Sequence, residues 1–280
     1  MPELAELKLT ADYINSSAKG EKFVAVKKSK SHKGDSIDLP NWRKFTIKPE
    51  SRGKQLLLTI KDVDSAETES ILMTMGMSGY FEMTNTGSEN KHAHLIFYTD
   101  DGVSLSFVDV RRFGKWKQGA TWSDNRGPDP TTEFEEFKAH IYDNLDKSAF
   151  KKPVYETLMD QKYFNGIGNY LRAEIIYMLE DLNPQLSGKL AIEQFPKILE
   201  LCRDVPMLAY QSNGGSIKDW KNPFGEDNTF KMVCYGNKAL MTSKIDRNGR
   251  RFWYDPKWHR LNDDDMIAEW EDYNNTCNLD

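Results

Sequence analysis

A change in hydrophobic periodicity near the middle of the chain limits the folds open to it. From about residue 22 to 118 the sequence is a series of short segments rich in Val, Ile, Leu, Phe and Thr, separated by Gly, Asp, Asn and Ser turns. Six or more strands of this kind predict a β-sandwich or barrel. After residue 132 the apolar residues recur at helical spacing, and a turn-rich segment, 121–132, lies between the two patterns. The sequence therefore predicts an α+β protein with two domains, 1–125 and 126–280.

Helical patterns flank the strand-rich region on both sides. A helix over residues 3–17 is predicted because apolar residues follow one helix face at Leu4, Leu7, Ala11 and Ile14. Further helices are expected at 133–145, 153–161, 169–182 and 191–205. From residue 230 onward the pattern predicts a β-hairpin, and its Arg247–Arg250 segment contains an Asn-Gly turn signal.

Composition excludes several protein classes. No run of 18 apolar residues is present, so no membrane-spanning helix is expected. The first residues carry glutamates where a signal peptide needs an apolar region, which argues against secretion and predicts an intracellular protein of the nucleus or cytoplasm. The cysteines Cys202, Cys234 and Cys277 are odd in number and far apart. This spacing argues against a disulfide framework and against a cysteine-based zinc site.

Charge is segregated near the end of the chain. The net charge of -5 would by itself count against a nucleic-acid partner. Residues 261–280 hold seven acidic residues and no Lys or Arg, so the rest of the chain carries -5 + 7 = +2. Residues 238–260 hold seven Lys or Arg against two Asp, a net of +5. The pattern is typical of a basic binding surface with an acidic appendage, although two solvated faces of opposite charge are an alternative.

The N-terminus contains groups suited to amine chemistry. Removal of Met1 would expose Pro2 as a secondary amine, and an α-amino pKa of about 7.7–8.0 leaves a reactive fraction near neutral pH. Glu3 and Glu6 follow on one face of the first helical turn, where one of them could act as a general acid. An ordinary helix start is the alternative, because Pro and Glu are common in first turns.

Basic and aromatic motifs follow along the chain. Lys54 lies in a Ser-Arg-Gly-Lys segment at a predicted hairpin corner, from which its ammonium could reach a phosphate. The alternative is an ordinary solvated lysine in a turn. His92 and His94 are spaced to share one face of a strand, and we interpret them as hydrogen-bonding groups because no third metal ligand is near. Arg111 and Phe113 are of the residue types that fill the gap left in a duplex by a flipped nucleotide. The alternative is that Phe113 belongs to the hydrophobic core and the arginines beside it are exposed at its edge.

Two motifs in the second half suit phosphate binding. Asn169 leads a helix after the glycine-containing Asn-Gly-Ile-Gly link, which could offer backbone N–H groups to a phosphate. Arg250 belongs to a basic hairpin flanked by aromatic residues, suited to a nucleic-acid groove. The alternatives are a plain helical hairpin and a solvated basic turn.

The order of these motifs resembles the Fpg/Nei family of DNA glycosylases. The likeness runs from residue 2 to about 260 and rests on PELAE, SRGK, GMSG, DVRRFG, DQKYFNGIGNYLRAEI and the hairpin NGRRFWY. The chain is most similar to the endonuclease VIII-like 1 branch, including its giant-virus members, through KHAHLIFYT and CYGNKALMTSKIDRNGRRFWY. That resemblance implies an N-terminal helix and β-sandwich, then a helix-two-turn-helix domain with a zincless finger at about 230–260 and an acidic tail at 261–280.

The resemblance also implies roles for individual residues. Pro2 would attack C1′ of the damaged nucleoside, Glu3 would protonate the sugar oxygen, and Lys54 would contact phosphate and assist catalysis, with Glu6 supporting the proton network. DNA-backbone contacts would come from His92, Asn169 and Arg250, and void filling from Met77, Arg111 and Phe113. The family usually opens with PEGPE, whereas Leu4 and Ala5 stand here in place of glycine and proline.

The function expected from the resemblance is a bifunctional DNA glycosylase and AP lyase of base excision repair. It would remove oxidised pyrimidines and hydantoins and cut the strand by β,δ-elimination. No metal or organic cofactor is expected, the partner is DNA with oxidised bases or abasic sites, and the protein is expected to be a monomer. The alternative is a non-catalytic binder of damaged or branched DNA on the same scaffold. An RNA-binding module would leave the N-terminal half unexplained.

Overall fold

The computed structural model describes residues 1–218, 220–259 and 261, so the expected acidic tail, 261–280, lies outside the described residues apart from Leu261. The strands are β1 (Phe23–Lys28), β2 (Phe45–Arg52), β3 (Gln55–Asp62), β4 (Thr68–Thr74), β5 (Tyr80–Asn85), β6 (Ala93–Thr99), β7 (Val103–Val108), β8 (Lys115–Gln118), β9 (Thr242–Ile245) and β10 (Arg251–Tyr254). The helices are α1 (Leu4–Ser17), α2 (Phe134–Tyr142), α3 (Val154–Thr157), α4 (Asn169–Tyr177), α5 (Gly188–Gln194) and α6 (Lys197–Gln211), with a 3₁₀ turn at Ser148–Lys151.

The first eight strands form the β-sandwich expected from the sequence. They pair antiparallel in the order β5-β7-β6-β1-β2-β3-β4-β8. β1 and β2 share a single paired position, Phe23 with Phe45, so the sheet consists of two four-stranded halves joined at that point. Side chains from both halves, including Phe97 and Leu58, fill one buried core. Buried positions alternate with more exposed ones along much of β2 and β3, as expected for strands that turn one face to the core.

Helix α1 belongs to two hydrophobic cores at once. Leu7, Ala11 and Ile14 pack into the sandwich core. Leu4 and Ala5, at the start of the helix, are fully buried in the core of the helical half. These two residues stand where the family that the sequence resembles usually has glycine and proline, and both are buried apolar residues. The N-terminus is therefore fixed at the junction of the two halves.

The helical half departs from the predicted pattern at Pro196. Instead of one helix over 191–205, the chain forms α5 and then α6, with Pro196 as the N-cap of α6. Proline disfavours helical backbone in the residue before it, and Phe195 accordingly has φ -129° and ψ 67°. α6 then continues past Pro206 to Gln211.

In the part of the chain that the structure describes, no helix is both long and apolar enough to cross a membrane.

The predicted hairpin is formed by β9 and β10. Ile245 pairs with Arg251, so the connection is a five-residue loop rather than a two-residue turn. Within it Gly249 has φ +73°. The Asp246 N–H donates to the Arg250 carbonyl at 2.8 Å, and the Asp246 carboxylate accepts the backbone N–H groups of Asn248, at 3.0 Å, and Arg250, at 2.8 Å. We call residues 230–259 the finger.

Candidate active site

Lys54 lies at the tip of the β2–β3 hairpin, as its motif predicted. Arg52 pairs with Gln55, which leaves Gly53 and Lys54 as the two turn residues. Gly53 has φ +56°, and a Cβ placed on it would lie 1.9 Å from Asn165 Oδ1. Only glycine fits this position, because the hairpin tip packs directly against the link between α3 and α4, residues 158–168.

Glu3 is buried against the first turn of α4. Its carboxylate accepts the backbone N–H groups of Tyr170, at 3.1 Å, and Leu171, at 3.3 Å. The sequence suggested that this helix start would offer its N–H groups to a phosphate, and that interpretation is wrong for these two groups. A carboxylate from the chain's own N-terminus occupies the positive end of the helix dipole instead.

Glu6 is fully buried and joins three parts of the molecule. Its carboxylate accepts the Glu3 backbone N–H at 2.7 Å, the Tyr170 hydroxyl at 2.9 Å and the Gly215 backbone N–H at 2.9 Å. Burial raises the pKa of Glu6, although these donors oppose the shift. A buried carboxyl with a raised pKa is suited to holding a proton beside the N-terminus.

The Lys54 side chain reaches the same region as Glu3 and Glu6. Its Nζ donates to the Ile167 carbonyl at 3.0 Å. Burial lowers the pKa of Lys54 to about 8, with Arg126 and Arg250 adding to the decrease and Glu3 opposing it. An ammonium of this kind can be deprotonated near neutral pH, which an ordinary surface lysine cannot.

Gly168 determines how closely these groups approach. A Cβ on Gly168 would lie 2.2 Å from Lys54 Nζ and 2.3 Å from Glu3 Oε1. The backbone of Gly168 is extended, with φ -128°, so its requirement for glycine comes from crowding and not from conformation. Glu3 and Lys54 therefore converge on one small space beside Gly168. Pro2, which directly precedes Glu3 in the chain, is buried, whereas Met1 is exposed.

A network of buried charges holds the finger on α4. Arg172 and Asp246, with exposed side-chain fractions of 0% and 1%, form an ion pair at 2.8 Å. The Glu174 carboxylate accepts the N–H groups of Val233, Cys234 and Tyr235 at 2.7–3.0 Å. Arg172, Asp246 and Glu174 were not identified from the sequence. The signal that could have found them is the presence of two charges within the otherwise apolar α4.

Asn169 and Arg250 lie on either side of this anchored junction. Asn169 is the first residue of α4, as expected, and its Nδ2 donates to the Arg251 carbonyl at 3.1 Å. Arg250 lies in the β9–β10 loop with its side chain exposed, close enough to Lys54 to lower its pKa. The structure thus brings Glu3, Glu6, Lys54, Asn169 and Arg250 together.

Met77, Arg111 and Phe113 lie on two loops that pack backbone against backbone. A Cβ on Gly76, next to Met77, would lie 2.5 Å from the backbone nitrogen of Gly114. Met77 is half-buried, Phe113 is 54% exposed, and the Arg111 guanidinium lies over the Phe113 ring at 5.3 Å. Phe113 is therefore a surface residue, not part of the core.

Asp109, which the sequence did not single out, connects the two loops. Its Oδ1 accepts Ser78 Oγ at 2.5 Å and the Arg111 N–H at 3.2 Å, and its Oδ2 accepts the Gly114 N–H at 2.7 Å. One buried carboxylate thus fixes both loops.

His92 and His94 differ in position more than their spacing suggested. His92 precedes β6, is half-buried, and accepts the Asp109 N–H through its carbonyl at 3.0 Å. His94 is buried within β6, and its Nε2 donates to the Asp109 carbonyl at 2.9 Å. The His94 ring therefore makes a hydrogen bond as expected, whereas the bond of His92 to Asp109 comes from its backbone.

Two further observations concern metal ligands and thiols. Within residues 1–218 and 220–259, no three His, Cys, Asp or Glu side chains are grouped so as to hold a metal ion. Cys202 and Cys234 are free and buried, and burial raises the pKa of both thiols.

Comparisons with known proteins agree with the fold and the motifs. The sequence-family model of the formamidopyrimidine-DNA glycosylase N-terminal domain matches residues 1–116. Endonuclease 8-like 1 of Mus musculus is 36% identical over 286 residues, covering 91% of this chain and 72% of that protein. The Homo sapiens protein of the same name is 34% identical with the same coverage.

Solved structures show the same fold at lower identity. The Lactococcus lactis Fpg in complex with DNA containing an abasic site has a TM-score of 0.75 and 20% identity, over 92% of this chain and 100% of that one. MutM (Fpg) of Thermus thermophilus has a TM-score of 0.77 and 20% identity, over 93% and 100%. The relatives in the sequence comparison, together with the motifs that the fold brings together, show that the chain belongs to the Fpg/Nei family of DNA glycosylases.

Proposed function

We propose that the protein is a bifunctional DNA glycosylase and AP lyase of base excision repair, with Pro2 as its nucleophile once Met1 is removed. The observation that supports this most directly is the convergence of the Glu3 carboxylate and the Lys54 ammonium on Gly168, with Pro2 directly before Glu3 in the chain. Removal of Met1 is favoured by the small residue, Pro2, that follows it. The family to which the chain belongs supplies the reaction class.

The first step exchanges one bond at the sugar for another. The Pro2 nitrogen bonds to C1′, the bond from C1′ to the base breaks, and the base leaves with the amine proton. A proton from Glu3 then passes to O4′, the ring opens, and an iminium joins Pro2 to C1′. The buried Glu6 carboxyl, which contacts the Glu3 backbone, supports this proton transfer.

The strand is then cut by two eliminations. Loss of a C2′ proton breaks the bond from C3′ to its phosphate oxygen, and the phosphate leaves with the electron pair. Loss of a C4′ proton breaks the bond from C5′ to oxygen in the same way, and water hydrolyses the iminium to restore the amine.

DNA would be held by the residues around this centre. Lys54, Asn169, Arg250 and His92 would bind backbone phosphates, and Met77, Arg111 and Phe113 would occupy the gap left by the flipped nucleotide. Oxidised pyrimidines and hydantoins are the proposed lesions, and the partner is DNA bound by a monomer.

Reductive trapping tests the proposal. Protein with a verified N-terminal proline, incubated with abasic-site DNA and borohydride, should give a covalent adduct that peptide mapping places on Pro2. Protein with an acylated N-terminus is the control and should give none. Processed protein that binds the DNA without forming the adduct would instead indicate a non-catalytic DNA binder.

A further inference from the structure

Arg126 is a half-buried cation that the site described above does not use. It lies in the turn-rich segment between the two halves, and its Nη1 donates to Gln161 Oε1 at 3.1 Å. Within the described part of the chain, its guanidinium has no carboxylate partner. Arg52, Arg172 and Arg203 differ in this respect, because they pair with Glu133, Asp246 and Asp204.

The amide of Gln161 connects Arg126 to Lys54. Gln161 Oε1 accepts both the Arg126 guanidinium and the Gly166 N–H, at 3.1 Å each. Its Nε2 donates to the Ile167 carbonyl at 2.7 Å, and the same carbonyl accepts Lys54 Nζ at 3.0 Å. Three hydrogen bonds, through this amide and the Ile167 carbonyl, therefore join the two cations.

The two cations repel each other, and the Glu3 carboxylate offsets this repulsion at Lys54. Arg126 lowers the pKa of Lys54, which shows that the two charges interact, and burial lowers the pKa of Arg126 itself. Arg250 acts on Lys54 in the same direction. A planar guanidinium with free N–H groups beside an ammonium matches the oxygens of a phosphodiester.

We propose that Arg126 and Lys54 together bind one phosphate of the lesion strand, and that Gln161 positions both. The inference rests on the proposed function, because the ligand is the backbone of the DNA that the enzyme would cut. It adds Arg126 as a phosphate ligand and Gln161 as a positioning residue.

Equilibrium binding to a duplex containing tetrahydrofuran, an abasic analogue that cannot form an iminium, tests this without chemistry. The dissociation constant is measured from about 0.05 to about 0.5 M KCl, over which each phosphate contact contributes about one unit of slope. Arg126→Gln should reduce the slope by about one unit and weaken binding about tenfold at about 0.15 M salt. Arg126→Lys should retain the slope, and Arg203→Gln, which removes an already paired arginine, should leave slope and affinity unchanged.

A second measurement uses the unaltered protein. An arginine-selective dicarbonyl reagent followed by peptide mapping should modify Arg126 in the free protein and much less in the DNA complex, whereas Arg203 should react equally in both. An unchanged salt slope in Arg126→Gln, or equal modification of Arg126 with and without DNA, would overturn the inference. Wild-type protein that does not bind the duplex would overturn it as well. If borohydride trapping fails while the Arg126 measurements give the expected results, only the proposed lyase activity would be overturned, and the phosphate-binding inference would stand.

Discussion

At the scale of single residues, the site depends on two glycines that fulfil different requirements. Gly53 adopts a positive φ and contacts Asn165, so both its backbone and its missing side chain matter. Gly168 has ordinary extended backbone, and only the space beside it requires glycine. The catalytic groups are close together because no Cβ separates them, which is a property of packing across three chain segments.

Gly168→Ala should therefore impair chemistry more than stability. The added Cβ would displace Glu3 or Lys54 by about 1 Å, and misplacement of this size costs about 100-fold in rate. Gly20→Ala is the control, because Gly20 has φ +84° and open space around it, so alanine there costs stability without touching the site. Single-turnover base excision and urea unfolding of both variants give the comparison. Equal excision rates in the two variants would contradict the crowding argument.

The lowered pKa of Lys54 predicts a pH dependence of DNA binding. Since Lys54 is protonated below about pH 8 and neutral above it, its contact with a phosphate should be lost as pH rises through this value. The affinity for the tetrahydrofuran duplex should fall about tenfold from about pH 7 to about pH 9.5. Lys54→Arg keeps the charge throughout and should remove this part of the dependence, while any contribution from the Pro2 amine remains in both proteins. The same profile in both proteins would show that Lys54 does not bind phosphate in its charged form.

At the scale of elements, the finger is attached to α4 by side chains. The Arg172–Asp246 pair lies under the β9–β10 loop, Phe252 stacks on Tyr155 with ring centroids 4.8 Å apart, and Glu174 binds three N–H groups of the finger. Asp246 also binds the backbone of the loop that carries Arg250. The position of Arg250 therefore depends on a buried ion pair.

Arg172→Met should destabilise the protein strongly, because it leaves Asp246 buried without its cation. Breaking a buried pair from one side costs about 3–5 kcal/mol, whereas an exposed pair contributes about 1 kcal/mol or less. Arg203→Met, which removes the exposed pair with Asp204, is the matched control. Urea unfolding should show the difference in free energy of unfolding, and similar losses in the two variants would mean that the finger does not rely on Arg172.

Most of the elements could be predicted from the sequence, because they depend on local periodicity. α1 follows from apolar spacing, and most strands of the sandwich follow from short segments rich in Val, Ile, Leu, Phe and Thr. The break at Pro196 was missed, since the apolar spacing continues through it. The site's connections were missed for a different reason. Arg172 and Asp246 lie 74 positions apart, and Glu3 lies 167 positions from Tyr170, so no local pattern records either contact.

At the scale of the whole molecule, α1 brings the reactive terminus to the junction between two cores. Its first residues pack with the helical half and the rest with the sandwich, while Glu3 and Glu6 bind α4 and Gly215. The hairpin tip with Lys54 reaches the same junction from the sandwich. The site consequently exists only when both halves are folded and in contact, and the division at residue 125 remains a prediction.

The segregated charge predicts how the whole molecule responds to salt. Ending the chain after Leu261 removes seven acidic residues and changes the net charge from -5 to +2. The truncated protein should bind both damaged and undamaged duplex more tightly at low ionic strength, because a negative tail repels the phosphate backbone. The gain should shrink above about 0.3 M KCl, where the Debye length falls below about 6 Å. A full-length variant with the seven acids changed to Asn or Gln separates charge from length and should match the truncated protein. Equal affinity of wild type, truncated and neutral-tail proteins at about 0.05 M KCl would show that the acidic residues do not act on DNA binding through their charge.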